Sequence, residues 1–120
     1  MNAKYTIFKY KKIIKISFTE IPDAEDVIDT TIEVAKLEKN ELRLWNFQKG
    51  VNFTSAELLK IADSAKIMNF PPSKIAILVP NKLSFGLARM HEVFREEDNQ
   101  SSHVFETEQE ALDWLLEKKS

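Results

Sequence analysis

Five apolar residues in an unbroken row, Ile75 to Val79, closed at once by Pro80, form the longest apolar run in this chain. A run that short is no buried helix, and it has no polar alternate positions, so it reads as a strand covered on both faces. Strands of this kind sit inside sheets flanked by helices, which constrains what the neighbouring segments must be. The run is expected to be the central strand.

The flanks supply helices with legible starts. Upstream, Thr54-Ser55-Ala56-Glu57 has the spacing of a capping box, in which the Thr54 hydroxyl and the Glu57 carboxylate satisfy free backbone N–H groups. Leu58, Leu59, Ile61, Ala62, Ala65 and Met68 follow, and Pro71-Pro72 ends the helix by denying the chain helical geometry. Downstream, Ser84 is placed to cap another helix, with Leu87, Met90, His91 and Phe94 on one face. His103 to Phe105 reads as a short last strand after the polar, loop-like stretch Glu97 to Ser102. Thr107-Glu108-Gln109-Glu110 then repeats the capping-box pattern before Ala111, Leu112, Trp114 and Leu115.

The first half follows the same grammar. Tyr5 to Phe18 alternates apolar residues with Lys at period two, as one long strand or a hairpin, although no Asn-Gly or Gly-rich pair marks a turn near Tyr10 to Lys12. Pro22-Asp23 opens a helix with Asp23, Glu25 and Asp26 at its positive end. Ala24, Val27, Ile28, Thr31, Val34 and Ala35 make its buried stripe, through about Leu37. Leu42 to Phe47 reads as a strand buried on both faces, with Leu42 and Leu44 on one parity and Trp45 and Phe47 on the other. The order β(β)-α-β-α-β-α-β-α predicts an α/β fold: one four- or five-stranded, mostly parallel sheet covered by four helices, in a single domain over residues 1–120. At 120 residues the chain is long enough for one self-sufficient core.

Several phrases together resemble the SpoIIAA-like (STAS-type) small-domain family, related in fold to CRAL-TRIO lipid carriers. They are Leu42-Arg43-Leu44-Trp45-Asn46, the strand through Val79, Phe85-Gly86-Leu87-Ala88-Arg89-Met90, and Glu110-Ala111-Leu112-Asp113-Trp114-Leu115. The likeness spans about residues 5 to 117. It implies a non-enzymatic binding or protein-interaction module, and the lipid-carrier kinship implies an apolar or amphipathic ligand between helices and sheet. Where classical antagonists of the family resemble one another in an Asp-Ser phosphoacceptor, this chain runs Gly50-Val51-Asn52-Phe53-Thr54-Ser55, with no Asp beside a hydroxyl. Where SpoIIAA-like sequences carry Asp after Leu-Trp, it has Asn46.

Composition narrows the function classes. With no Cys there is no thiol nucleophile, no Cys-based zinc site and no redox pair, which fits a reducing compartment; a cytoplasmic location is the expectation. A formal net charge of −2 argues against a protein that neutralises many phosphates, so nucleic acid is not the expected partner. No apolar run approaches the length of a membrane span or a secretory leader. Residues 1–19 hold five Lys and no acid, whereas 20–41 hold eight acids against Lys36 and Lys39. The Lys cluster reads as the solvated face and protected edge of a strand pair, with attraction to an anionic surface as the competing reading.

Candidate sites follow from the rule that open α/β sheets bind ligands beyond the carboxyl ends of parallel strands, near helix N-termini. That rule selects Asn46, Gln48, Thr54 and Ser55 after one strand, and Asn81, Lys82 and Ser84 after another. Asn46, Thr54, Ser55, Lys82 and Ser84 are the ligand-binding candidates; Lys82 with the free N–H groups of two helix starts suits a carboxylate or phosphate. The competing expectation is that Thr54 and Ser84 only cap helices. Arg43, at a buried strand, and Arg89, on a helix beside core positions, are expected to pair with a carboxylate or to lay their stems along apolar surface, with anion binding the sharper alternative. Two histidines, His91 and His103, lie in different elements without metal-ligand spacing, and neither Gly-x-Ser-x-Gly nor a Gly-rich phosphate loop occurs. No catalytic residue, metal or cofactor is therefore assigned. The alternative to a binding module is a small enzyme or phosphometabolite-binding protein using Asn46, Lys82 and Ser84. Self-association through exposed helix faces is a further expectation.

Overall fold

The computed structural model describes residues 5–68, 70–81, 84, 86, 89 and 100–117. Five strands form one mixed sheet in the spatial order β1-β2-β3-β4-β5. They are β1 (Tyr5–Tyr10), β2 (Ile13–Phe18), β3 (Leu42–Phe47), β4 (Ser73–Leu78) and β5 (Gln100–Phe105). Only the first pairing is antiparallel; β2–β3, β3–β4 and β4–β5 are parallel. Among the described residues, three helices have both ends placed: α1 (Ala24–Ala35), α2 (Ser55–Ile67) and α3 (Glu108–Leu115). Of the expected helix near Ser84, only Ser84, Gly86 and Arg89 lie among the described residues, all helical; Leu87, Met90, His91 and Phe94 lie outside them.

The N-terminal segment is a hairpin, with Tyr10 opposite Ile13 and Lys11-Lys12 between them. Lys11 adopts φ 54°, the left-handed conformation that Gly or Asn would take without strain, which is why the turn carries no standard signature. At α1 the acidic start does more than meet a dipole. The Asp26 N–H donates to Asp23 (2.8 Å) and the Asp23 N–H donates to Asp26 (3.0 Å), a capping box built from two aspartates. The helix ends at Ala35, two residues before the expected end, and Leu37 is exposed.

Three expectations need correction. The central strand is β3, with β4 one place from the middle; apolar richness reports coverage on both faces, which both strands have, and not rank in the sheet. Gln100, Ser101 and Ser102 belong to β5, because backbone pairing with Ser73, Lys74 and Ile75 outweighs their polar composition. Leu59 is exposed, outside the buried stripe of Leu58, Ile61, Ala62 and Ala65.

The parity of β3 divides the interior into two layers. Trp45 and Phe47 join Ile16, Phe18, Ile75 and Ile77 beneath α1 and α2, which pack on each other. Leu44 joins Ile13, Ala76 and Leu78 beneath Ala111 and Leu115 of α3 on the opposite face. Successive crossovers step one way across the sheet, and crossovers of one hand then place α1 and α2 on the same side. Cations fasten α3 at both ends. Lys15 pairs with Glu108 at its start, so this Lys is not part of a solvated face, and Lys74 Nζ donates to the Trp114 carbonyl (2.7 Å) and pairs with Glu117 (3.2 Å) at its end.

Candidate functional site

The structure describes Asn46, Thr54, Ser55 and Ser84 among the residues selected beyond the strand ends. Thr54 is exposed and its hydroxyl accepts the Glu57 N–H (3.1 Å), while the Thr54 N–H donates to the Glu57 carboxylate (2.8 Å): the expected capping box, complete. Ser55 is exposed on the first turn of α2. Asn46 is half-buried and, by strand alternation, points to the α3 face. Lys82 lies outside the described residues.

Ser84 is 3% exposed and does not cap its helix. Its N–H donates to the Asn81 side-chain oxygen at 2.8 Å. The Ser84 hydroxyl instead accepts the Val51 N–H (2.9 Å) and donates to the Val51 carbonyl (3.2 Å). This pair of hydrogen bonds ties the β3–α2 loop to the segment after β4. The approach is so close that a Cβ on Gly50, at φ 90°, would stand 2.3 Å from the Ser84 hydroxyl. Capping of α3 is also modified: the Thr107 hydroxyl donates to the Glu110 carboxylate (2.7 Å) and accepts the Glu110 N–H (3.4 Å), with no return bond to the Thr107 amide.

Among the described residues, a partly open cavity of about 50 Å³ between the sheet and the α1–α2 layer has room for a ligand. Its floor is the inward row of β3, Arg43, Trp45 and Phe47, with Ile75 and Ile77 of β4 alongside. Val27 and Thr31 of α1 and Leu58 and Ile61 of α2 form the roof. Val51 and Phe53 close it near Phe47, and Phe70 lies near Arg43. The Thr31 hydroxyl donates to the Val27 carbonyl (2.8 Å), so its proton stays within the helix. The aromatic floor is ordered: Trp45 and Phe47 both stack on Phe18, at centroid distances of 6.3 and 5.5 Å and interplanar angles of 12° and 4°.

Arg43 is the exceptional lining residue, a cation 2% exposed in an otherwise apolar wall. Its Nη1 donates to the Asn40 carbonyl (2.5 Å) and to the Ser73 hydroxyl (3.2 Å), and the guanidinium lies 4.0 Å from the centroid of the Phe70 ring. The supports are themselves held. Asn40 Nδ2 donates to the Val34 carbonyl at the end of α1 (3.3 Å), and the Ser73 hydroxyl donates to the Pro71 carbonyl (2.5 Å). Lys39, at φ 54°, turns the chain between α1 and β3 so that the Asn40 carbonyl faces Arg43. Stacking on an aromatic face with the stem along the sheet realises one reading of this residue; its place in a cavity wall keeps the anion-binding reading alive.

Among the described residues there is no group of three or more His, Cys, Asp or Glu able to hold a metal ion, and no helix long and apolar enough to cross a membrane. His103 packs edge-on against Trp114 at 4.7 Å, on the α3 face and away from the cavity, and His91 lies outside the described residues. In comparisons with protein-family models, with curated proteins and with solved structures, the chain matches none.

Proposed function

We propose that this chain is a non-enzymatic binding module of the SpoIIAA-like type that holds a small ligand in the cavity between its sheet and helices α1 and α2. The observation carrying this reading is the cavity itself, an apolar chamber assembled from two strands, two helices and their loops, with one fixed cation in its wall. Size restricts the ligand. A water needs roughly 10–15 Å³ of such space, so about 50 Å³ accommodates a compact molecule and not a long-chain lipid. The phosphometabolite alternative at Asn46, Lys82 and Ser84 is weakened by the Ser84 hydroxyl, which is buried and engaged with Val51 in both directions.

Thermal shift with a panel of small apolar compounds tests the reading, using the native chain beside Thr31→Leu, which extends an apolar side chain into the cavity from α1. A saturable rise in melting temperature that is lost in Thr31→Leu supports it. Compounds that stabilise both chains equally bind elsewhere and refute it.

A further inference from the structure

We infer that the open edge of the sheet, strand β1, is a docking strand for an extended acidic segment of a partner protein. β1 ends the sheet, and among the described residues its backbone bonds only to β2, so the N–H and C=O groups of alternate residues along Tyr5–Tyr10 face outward. An added strand would satisfy them. The face beside that edge is also open. Phe8 and Tyr10 stand opposite Lys15 and Ile13, which places them on the α3 face, yet α3 packs on β3, β4 and β5 and leaves them 48% and 42% exposed. Two large aromatic rings on one face of a free edge suit an interface better than a solvated surface.

Charge selects the occupant. Lys9, Lys11 and Lys12 are exposed, and none of them meets a carboxylate among the described residues, whereas the neighbouring Lys15 is engaged by Glu108. Lys11 lies over the Tyr10 ring, which joins the positive charge to the apolar surface. Lysine guards a free edge against a second copy, since like charges oppose, but it attracts an acidic strand. Pairing of β1 with its own copy would double the uncompensated lysine charge along one line; a strand bearing Asp or Glu neutralises it. Alternation refines the fit. On the α3 face the added strand meets Phe8 and Tyr10 and needs apolar side chains, and on the other face it meets Lys9 and needs acids. The chemistry recognised is therefore period-two alternation of apolar and acidic residues. Such a contact is small and belongs to the transient class. It is separate from the cavity, which lies beneath α1 and α2, so its failure leaves the cavity reading standing.

The test titrates the full chain with end-capped peptides of the six-residue length of β1. They are Val-Glu-Val-Glu-Val-Glu, its glutamine isostere, and Val-Glu-Pro-Glu-Val-Glu, which keeps the charge but interrupts the strand. Peptide anisotropy and hydrogen exchange of the Tyr5–Tyr10 amides are followed. The glutamate peptide is expected to bind roughly tenfold more tightly than the glutamine one at ~0.1 M salt, to lose that margin near ~1 M salt, and to slow exchange at β1. The proline peptide is expected to bind more weakly, because it cannot complete the ladder. Lys9→Gln combined with Lys12→Gln is expected to erase the preference for glutamate, and Phe8→Thr to weaken both alternating peptides; all three positions are exposed, so the fold tolerates the changes. Equal binding of the glutamate and glutamine peptides, no binding of the glutamate peptide, or binding without slowed exchange at β1 would overturn the proposal. Displacement of the glutamate peptide by oligothymidylate or by phosphatidylserine vesicles would overturn it in favour of nucleic acid or a membrane surface. Self-association that the glutamate peptide does not reverse would overturn it in favour of a second copy.

Discussion

Gly50→Ala tests whether the β3–α2 loop and the segment after β4 are locked together as described. At φ 90° an L-residue is strained, at about 1–2 kcal/mol by the usual cost of left-handed backbone. The new methyl would also stand 2.3 Å from the Ser84 hydroxyl and 3.3 Å from the Asn81 side-chain amide, so Ser84 must move. Moving it breaks two buried hydrogen bonds to Val51, and the loss of each partner costs roughly 1 kcal/mol or more. The sum is about 3–5 kcal/mol, a large share of the stability of an ordinary domain. Urea unfolding followed by the fluorescence of Trp45 and Trp114 measures it, with an unchanged denaturant slope required for a simple reading. Ser84→Ala alone should cost about 1–3 kcal/mol. The double variant should fall short of the sum by about 1 kcal/mol or more, because the same bonds cannot be lost twice. Gly86→Ala is the internal control: it is exposed and helical, and its added methyl meets nothing within 4 Å, so a gain of about 0.5–1 kcal/mol is expected. A Gly50→Ala penalty under about 1 kcal/mol, or strict additivity with Ser84→Ala, would refute the lock.

Other expectations follow from local geometry. Lys11→Asn should stabilise the hairpin by about 0.5 kcal/mol, because Asn tolerates the φ of 54° better than Lys; a lower urea midpoint would contradict this. Asp23→Ala should cost about 1 kcal/mol by opening the α1 capping box, with far-UV dichroism showing the loss at the helix start. The Tyr5 hydroxyl, hydrogen-bonded to the Glu33 carboxylate, partly desolvated and near Asp29, titrates above its ordinary value of 10.0. The folded state thus holds this proton more tightly than the unfolded one. The stabilisation is complete below the ordinary tyrosine pKa and is lost as pH rises through the folded value, so Tyr5→Phe should flatten the alkaline end of the stability profile. A phenolate absorbance titration with no component above the ordinary range would contradict the Glu33 contact.

Helix starts were readable because capping is local: Thr54 and Glu57 lie three residues apart and meet as their spacing predicts. Strand parity was equally local, and the division between Leu44 and Trp45 follows directly from it. Neighbour relations are not local, which is why Ile75 to Val79 suggested the middle of a sheet whose middle is Leu42 to Phe47. Gln100 to Ser102 were illegible as strand because their place depends on β4 and not on their own composition. For the site, polar residues near strand ends drew attention, yet Thr54 and Ser84 are consumed by the fold's own backbone. The cavity comes from a gap among apolar side chains drawn from many segments, and no spacing encodes a gap. Arg43 was the exception, visible because a cation in an apolar strand must be accommodated somehow.

The strands stand side by side in the order in which a ribosome would deliver them, so each arriving strand needs only the edge left by its predecessor. Such a layout lets pairing proceed in chain order, each parallel pairing waiting for the crossover between its two strands. Its cost falls on one surface. Among the described residues, Leu44, Ala76 and Leu78 gain their cover from Glu108–Leu115, the helix that follows the last strand of the sheet. Chains cut short of it would present an oily, sticky sheet face, and their fate would be aggregation or proteolysis and not a smaller working protein.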